Sequence, residues 1–313
     1  MKPKHKSYFI SEEERDQFFS YWVNNLEQMN NTWYKRVDVN TMLGTTVVWS
    51  INDMADDAES IVIFPGFRTS ALFWDLDNAL SALKDKYRIY LVETNGQPNL
   101  SDGSTPEIRS ADYGLWALEV IDALGLENVT IAGASFGGLV CLKLGIVAPE
   151  RINKTILLNP GCLQPFSLSW RNLYYNMLPI LFPSRKNVEQ FLENAVLNGK
   201  GHDLTPQARK LLIDYEVFAL KRFKDNTQKP YAMDSEELAM VQSDVYLVLG
   251  DKDILFPHQK SKEVAERDIR NWRDTWILAE IGHGIETTRQ GIEAIATIMN
   301  MSDQKAYYPS TVL

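Results

Sequence analysis

The sequence lacks the features of a disulfide-stabilised or membrane-spanning protein. Its 313 residues include only two cysteines, Cys141 and Cys162, so a disulfide framework is excluded and a reduced, cytoplasmic setting is expected. A single bond between the two cysteines stays open as an alternative. No apolar run approaches the roughly 18 residues of a transmembrane helix, and the opening residues MKPKHKSYFI lack the apolar stretch of a signal peptide. We therefore expect no membrane span.

Positive charge is outnumbered, with 32 Lys and Arg against 41 Asp and Glu. The net charge is −9 and the pI is near 5.1, and the cluster of Lys2, Lys4 and Lys6 forms only a short tail. Nucleic acids and anionic membranes repel such a chain, so neither is an expected partner. With 45% hydrophobic residues, the chain can bury a large core as one α/β domain, with or without an insertion.

Short apolar segments alternate with helical patterns through most of the chain. These segments show no apolar–polar alternation, which is typical of parallel strands covered on both faces. The predicted strands are 60–65, 87–93, 128–134, 153–159, 244–250 and 275–280. The predicted helices are 72–83, 106–124, 135–148, 259–267 and 286–299, with Pro106 in a first turn. The predicted fold class is α/β, with a mostly parallel, doubly wound sheet.

The N-terminal region and the middle of the chain depart from this alternation. Ser11 and Glu14 have the spacing of a capping box that opens a helix, and segments 34–39 and 45–51 predict an antiparallel hairpin. In 161–238 the alternation gives way to aromatic helical stretches, which we interpret as an inserted helical cap; further core helix is the alternative. The predicted organisation is an N-terminal helical extension (1–33), a core (34–160 and 239–300), the cap (161–238) and a C-terminal tail (301–313).

One short motif at a strand–helix junction carries the predicted chemistry. The segment Gly133-Ala134-Ser135-Phe136-Gly137 has the pattern Gly-x-Ser-x-Gly, with an apolar strand before it and a helix after it. A sharp turn at this point exposes the serine oxygen, and the flanking glycines let neighbouring elements approach. A serine-capped, glycine-rich helix start is the alternative. We predict that Ser135 is a nucleophile.

A serine nucleophile requires a base, and histidine is rare in this chain. Only His5, His202, His258 and His283 occur. His283 follows the last predicted strand, so it is expected at the same sheet edge as Ser135 and is the predicted base. The other three fall in the N-terminal tail, in the predicted cap and at a helix start.

The predicted acid and oxyanion donors lie on loops at the same edge. Asp251 and Asp253 both follow a predicted strand, and Asp253 is favoured because it lies farther into the loop, whereas Asp251 suits a turn. Asn159, at the end of another predicted strand, is not a carboxylate. The backbone amides of Phe67 and Phe136 are predicted to stabilise a developing oxyanion.

These motifs resemble those of the α/β-hydrolase superfamily, in particular its carboxylesterase-like members with a helical cap. The resemblance spans about residues 34–300, and the order Ser135, Asp253, His283 is similar to the family's order of nucleophile, acid and base. Glu93 stands where the family usually has aspartate. The resemblance implies hydrolysis of a small-molecule ester or related acyl bond through an acyl-enzyme, with no metal or organic cofactor.

Other functions stay open beside a carboxylesterase. The same triad can serve carbon–carbon, amide or perhydrolase chemistry, and a hydrolase-like site can bind a small molecule as a receptor with little turnover. Dehalogenase and epoxide-hydrolase chemistry is disfavoured, because those relatives have aspartate where this chain has Ser135. For catalysis, we expect the Ser135 oxygen within about 3.2 Å of a His283 ring nitrogen, or somewhat farther without ligand.

Overall fold

Eight strands form one central sheet. The computed structural model describes residues 5–53 and 58–301. The strands are, in chain order, β1 (Lys35–Thr41), β2 (Gly44–Ile51), β3 (Ser60–Phe64), β4 (Arg88–Val92), β5 (Val129–Ala134), β6 (Ile152–Leu158), β7 (Val245–Gly250) and β8 (Trp272–Leu278). Their spatial order is β8-β7-β6-β5-β3-β4-β2-β1. The predicted hairpin forms between β1 and β2; β2 also pairs antiparallel with β4, and every other pairing is parallel.

Both faces of the sheet are buried. Along β3, Ile61 and Ile63 belong to one apolar core, whereas Val62 and Phe64 belong to a second core on the opposite face. Each face is covered by helices, which explains why the strands lack apolar–polar alternation. The predicted mostly parallel, doubly wound sheet is confirmed. Because parallel strands end at one edge, the loops after β3, β5, β6, β7 and β8 meet there.

Ten α-helices accompany the sheet in the described part of the chain. They are α1 (Glu12–Asn30), α2 (Ser81–Lys84), α3 (Asp112–Ala123), α4 (Phe136–Val147), α5 (Trp170–Leu181), α6 (Arg185–Phe191), α7 (Pro206–Arg222), α8 (Ser235–Ala239), α9 (His258–Asp268) and α10 (Arg289–Asn300). Helices α5 to α8 lie in the chain between β6 and β7. Helices α5 to α7 fall within the predicted cap (161–238), whereas α8 extends one residue past its end. The boundaries of the cap, the extension and the core stay predictions.

Helix α1 begins where the sequence predicts, but its cap is only half of a capping box. The Ser11 hydroxyl accepts a hydrogen bond from the Glu14 amide at 3.2 Å. The Glu14 carboxylate contacts Arg222 instead of its own helix start. The buried Trp22 donates its indole N–H to the carbonyl of Leu211 at 2.9 Å, so α1 packs on α7.

The prediction of one helix over 72–83 is wrong. A 3₁₀ segment, Ala71–Asn78, breaks before α2, with the φ of Asp77 at 55°. Asp75 is fully buried and accepts hydrogen bonds from the Leu80 amide, the Tyr34 hydroxyl and the Lys84 ammonium. These competing donors draw the chain out of a regular helix.

Two other predicted boundaries also shift. Helix α3 begins at Asp112, so Pro106 precedes it; the Ile108 amide donates to Gln228 at 2.7 Å, in a segment that docks against a distant loop. The last strand is Trp272–Leu278 rather than 275–280, because Glu280 adopts a left-handed φ of 59° that ends the extended backbone.

The predicted C-terminal tail (301–313) lies, apart from its first residue, outside the described residues. Cys141 and Cys162 are both buried free thiols, so the alternative of a bond between them is wrong.

Candidate active site

Ser135 lies in a strained turn between β5 and α4. Its φ of 50° and ψ of −111° are unusual for a residue with a side chain. Its amide donates to the carbonyl of Leu158 in β6 at 3.0 Å. Both flanking glycines are needed for close approach: a Cβ on Gly133 would lie 2.3 Å from the carbonyl oxygen of Gly137, and one on Gly137 would lie 2.1 Å from that of Phe64.

His283 is paired with Asp253. Its Nδ1 lies 2.8 Å from Asp253 Oδ2. The other carboxylate oxygen accepts from the amides of Leu255 at 2.8 Å and Phe256 at 3.1 Å. The Asp253 side chain is fully buried. Its orientation is therefore fixed by backbone donors, and it can hold one tautomer of the imidazole.

The two candidate aspartates, Asp251 and Asp253, have different contacts in the structure. Asp251 contacts Lys252 at 3.4 Å, and its buried Oδ1 has no hydrogen-bond partner within the described part of the chain. Asp253 alone of the two forms a hydrogen bond with His283.

Gly161 and Phe256 lie in the region between Ser135 and His283. A Cβ placed on Gly161 would lie 3.5 Å from the Ser135 hydroxyl and 3.1 Å from the Phe256 ring. The rings of Phe256 and His283 have centroids 5.5 Å apart. Among the hydrogen bonds of residues 5–53 and 58–301, none joins Ser135 directly to His283, so the expected distance of about 3.2 Å stays a prediction.

The predicted oxyanion loop passes beside the nucleophile. A Cβ on Gly66 would lie 3.6 Å from that of Ser135. The rings of Phe67 and Phe136, whose amides are the predicted donors, meet edge to face with centroids 6.0 Å apart. Gln97 accepts the amide of Arg68 at 2.7 Å and so supports this loop.

Electrostatics at the base favour its charged form. Burial alone would lower the pKa of His283, but the charge and hydrogen bond of Asp253, helped by Glu286, hold it above its usual value. Burial in turn raises the pKa of Glu286, while His283 opposes that effect. An imidazolium formed during a reaction would therefore be stabilised where Asp253 contacts it.

The remaining histidines serve other purposes. His5 pairs with Thr105 in a short strand pair, and His258 begins α9. His202 accepts the amide of Gly282 at 2.8 Å, directly beside the predicted base. Burial lowers the pKa of His202 to about 4, and the nearby Asp203 opposes this effect.

Two residues next to the site have roles that the sequence did not reveal. Asn159 donates to the carbonyls of Gly282 and His283 at 2.9 and 3.1 Å and accepts the Gly250 amide at 2.8 Å. Glu93 is buried and accepts from Trp49, Ser70 and Ala71, which anchors the segment after the oxyanion loop. The available signal was position: Asn159 and Glu93 both follow strands that end at the site edge.

Sequence comparisons identify relatives that are named as hydrolases. Residues 59–182 match the alpha/beta hydrolase fold family. The chain is similar to RutD, a candidate carbamate hydrolase of Stutzerimonas stutzeri, with 30% identity over 68% of this chain and 81% of that relative. It is also similar to the carboxylesterase YbfK of Bacillus subtilis, with 26% identity over 72% of this chain and 74% of that relative.

Solved structures share the fold. The crystal structure of YbfK (CesB) from Bacillus subtilis matches with a TM-score of 0.74 and 21% identity, covering 92% of this chain and 97% of that one. Naproxen esterase (carboxylesterase NP) from Bacillus subtilis matches with a TM-score of 0.76 and 22% identity, covering 93% and 99%. Within residues 5–53 and 58–301, no helix is both long and apolar enough to cross a bilayer.

Proposed function

This chain belongs to the α/β-hydrolase fold family, and from that premise we propose that it is a serine carboxylesterase with Ser135 as nucleophile, His283 as base and Asp253 as acid. Two observations carry the proposal: the 2.8 Å contact between His283 Nδ1 and a buried Asp253, and the strained turn at Ser135. This arrangement leaves the other imidazole nitrogen free to serve the hydroxyl.

In the proposed reaction, His283 takes the proton of Ser135 as its oxygen attacks the ester carbonyl carbon. The Phe67 and Phe136 amides stabilise the tetrahedral oxyanion. When the ester C–O bond breaks, the imidazolium gives its proton to the departing alcohol. Water, deprotonated by His283, then attacks the acyl-enzyme, and the acid is released with Ser135 reprotonated.

The substrate is proposed to be a small ester with an apolar acyl group. The Phe256 ring lies next to Gly161, which is close to the Ser135 hydroxyl, and next to the ring of His283. An aromatic side chain at this place favours apolar groups over charged ones. The proposed reaction needs no bound cofactor, since proton transfer and backbone amides supply each step.

The proposal is tested by labelling and turnover. We expect a fluorophosphonate to modify Ser135, as read by intact mass and peptide mapping, and p-nitrophenyl acetate to be hydrolysed. Ser135→Ala should lose both, whereas Ser20→Ala, on the exposed face of α1, should keep both. An unlabelled folded protein whose slow turnover survives in Ser135→Ala would refute the proposal. Stoichiometric ligand binding without turnover would favour the receptor alternative.

A second candidate is cleavage of a carbamate by the same residues. It is favoured by the 30% identity to RutD, the candidate carbamate hydrolase. Phenyl acetate and phenyl carbamate share a leaving group, so their kcat/KM ratio separates the two reactions. A ratio in favour of the carbamate would move the assignment from esterase to carbamate hydrolase and leave the triad unchanged.

A further inference from the structure

Asn159 links the two loops that carry the predicted acid and base. It directly follows β6, which lies between the strands that precede the nucleophile and the acid. It is 1% exposed and has a left-handed φ of 39°. Its amide group bonds the carbonyls of Gly282 and His283 on one side and the Gly250 amide on the other.

Asparagine is the side chain that these three partners require. Two carbonyl oxygens need two N–H donors, and the Gly250 amide needs an acceptor; one carboxamide of this length supplies all three. An aspartate would direct a carboxylate oxygen at two carbonyl oxygens. An alanine would leave the Gly282 carbonyl and the Gly250 amide without their Asn159 partner, and would leave the His283 carbonyl with the Ile285 amide as its donor. The left-handed backbone conformation also favours asparagine among residues other than glycine.

The base loop (281–284) is held from several directions. Its contacts with the rest of the chain include the Lys252 amide, His202 and the Val196 carbonyl. Asn159, directly after β6, adds two hydrogen bonds to this loop, at the carbonyls of Gly282 and His283. Asn159 thus fixes the distance of the His283 backbone from the edge of the sheet. Through its bond to the Gly250 amide, it also fixes the His283 backbone relative to β7, the strand that leads to Asp253.

We infer that Asn159 is a positioning residue of the active site, which holds the backbone of His283 so that its imidazole meets both Asp253 and Ser135. This inference rests on the proposed function, because it assigns Asn159 a role in placing the base of that reaction. Asn159 itself acts through backbone groups and contacts neither substrate nor reacting atoms.

The test is the kinetics of Asn159→Ala and Asn159→Asp on a p-nitrophenyl ester. We expect kcat to fall about 10- to 100-fold with KM changed less than about threefold, since displacement of a base slows chemistry more than binding. The isosteric Asn159→Asp should be at least as slow, because it repels the two carbonyls that the amide attracts. Asn159→Ser provides a milder variant if either of these fails to fold.

A pH profile separates positioning from stability. The charge and hydrogen bond of Asp253, together with Glu286, raise the pKa of His283 against the effect of burial. A loosened base loop weakens that pairing, so the acidic limb of kcat/KM should move to lower pH in the Asn159 variants. Asn30→Ala is the matched control. Asn30 is also buried and bonds Tyr34, Asp75 and Asn78, so its variant should melt earlier but keep the limb in place.

Two results would overturn the inference. One is folded Asn159→Ala with wild-type kcat; the other is activity that falls only with the folded fraction while the acidic limb stays unchanged. Fluorophosphonate labelling of the wild-type protein distinguishes the possible failures. If Ser135 is not labelled, the proposed function fails and this inference fails with it. If Ser135 is labelled and the variants behave as wild type, only the role of Asn159 is refuted.

Discussion

At the scale of single residues, two aspartates with nearly the same position have opposite surroundings. Asp253 is anchored by two backbone amides and contacts His283. Asp251 is drawn to Lys252, which also contacts Glu280 at 3.0 Å. A separation of two residues along the loop therefore decides which carboxylate can stabilise an imidazolium.

The two aspartates form a matched pair for mutation. Asp253→Asn should lower kcat about 1,000- to 10,000-fold, because it favours the wrong tautomer of the base. Asp251→Asn should stay within about threefold of wild type, since its side chain does not contact His283. Steady-state kinetics on p-nitrophenyl acetate check both. A larger loss in Asp251→Asn than in Asp253→Asn would reverse the assignment of the acid.

Ser135 and His283 could be picked out as site candidates from the sequence, because each lies in a local pattern beside a predicted strand end. The contacts of Asn159 could not, since they join residues 124 positions apart through an ordinary asparagine. His202 was similarly hidden, because its partner is a backbone amide. Sequence patterns indicate the local conformation of the chain, whereas the contacts of Asn159 and His202 depend on how loops distant in the sequence pack together.

At the scale of elements, buried polar groups decide where helices break. The sequence predicts one helix over 72–83, since its apolar spacing is helical, but the buried Asp75 accepts hydrogen bonds from Leu80, Tyr34 and Lys84. The parallel strands were easier to predict, because burial on both faces leaves a continuous apolar run. Helix boundaries that depend on a distant partner, as at Ile108 and Gln228, leave no local signal.

Removal of the Asp75 carboxylate should be costly. Asp75→Ala leaves the Lys84 ammonium, whose side chain is only 13% exposed, without its carboxylate partner, and it removes the acceptor of the Tyr34 hydroxyl. We expect the free energy of unfolding to drop by about 3 kcal/mol or more. Asp16→Ala removes an exposed ion pair with Arg15 and should change stability by less than about 1 kcal/mol. Urea unfolding of the two variants measures the difference.

At the scale of the whole molecule, the helical segment between β6 and β7 is fastened to the base loop. The Val196 carbonyl accepts the amide of Gly284 at 2.9 Å, and His202 accepts that of Gly282. These two bonds come from residues outside the sheet, whereas the bonds of Asn159 come from the end of a sheet strand. The folding of this segment and the placement of His283 are therefore coupled.

The free energy of unfolding should depend on pH through His202. Its pKa is about 4 in the folded protein but about 6.5 when unfolded, so the unfolded state binds the proton first as pH falls. The free energy of unfolding should decrease between pH 6.5 and 4, by up to about 3 kcal/mol from this residue.

His202→Gln tests the effect, since its amide oxygen can accept the Gly282 amide but does not titrate. The difference in unfolding free energy between wild type and this variant should change between pH 7.5 and pH 5, as measured in urea. His258→Gln, at the start of α9, should follow the wild type at both pH values. A difference for His202→Gln that is independent of pH would contradict the prediction.

The backbone conformation of Ser135 also limits which nucleophilic residues can occupy this position. With φ at 50° and ψ at −111°, a side chain branched at Cβ meets its own backbone. Threonine is thus excluded by shape, although its hydroxyl has the right chemistry. Cysteine is unbranched at Cβ and fits the same turn. Glycine would relieve the backbone strain, but it has no side chain to act as a nucleophile. The choice of nucleophile is narrowed by geometry before reactivity is considered.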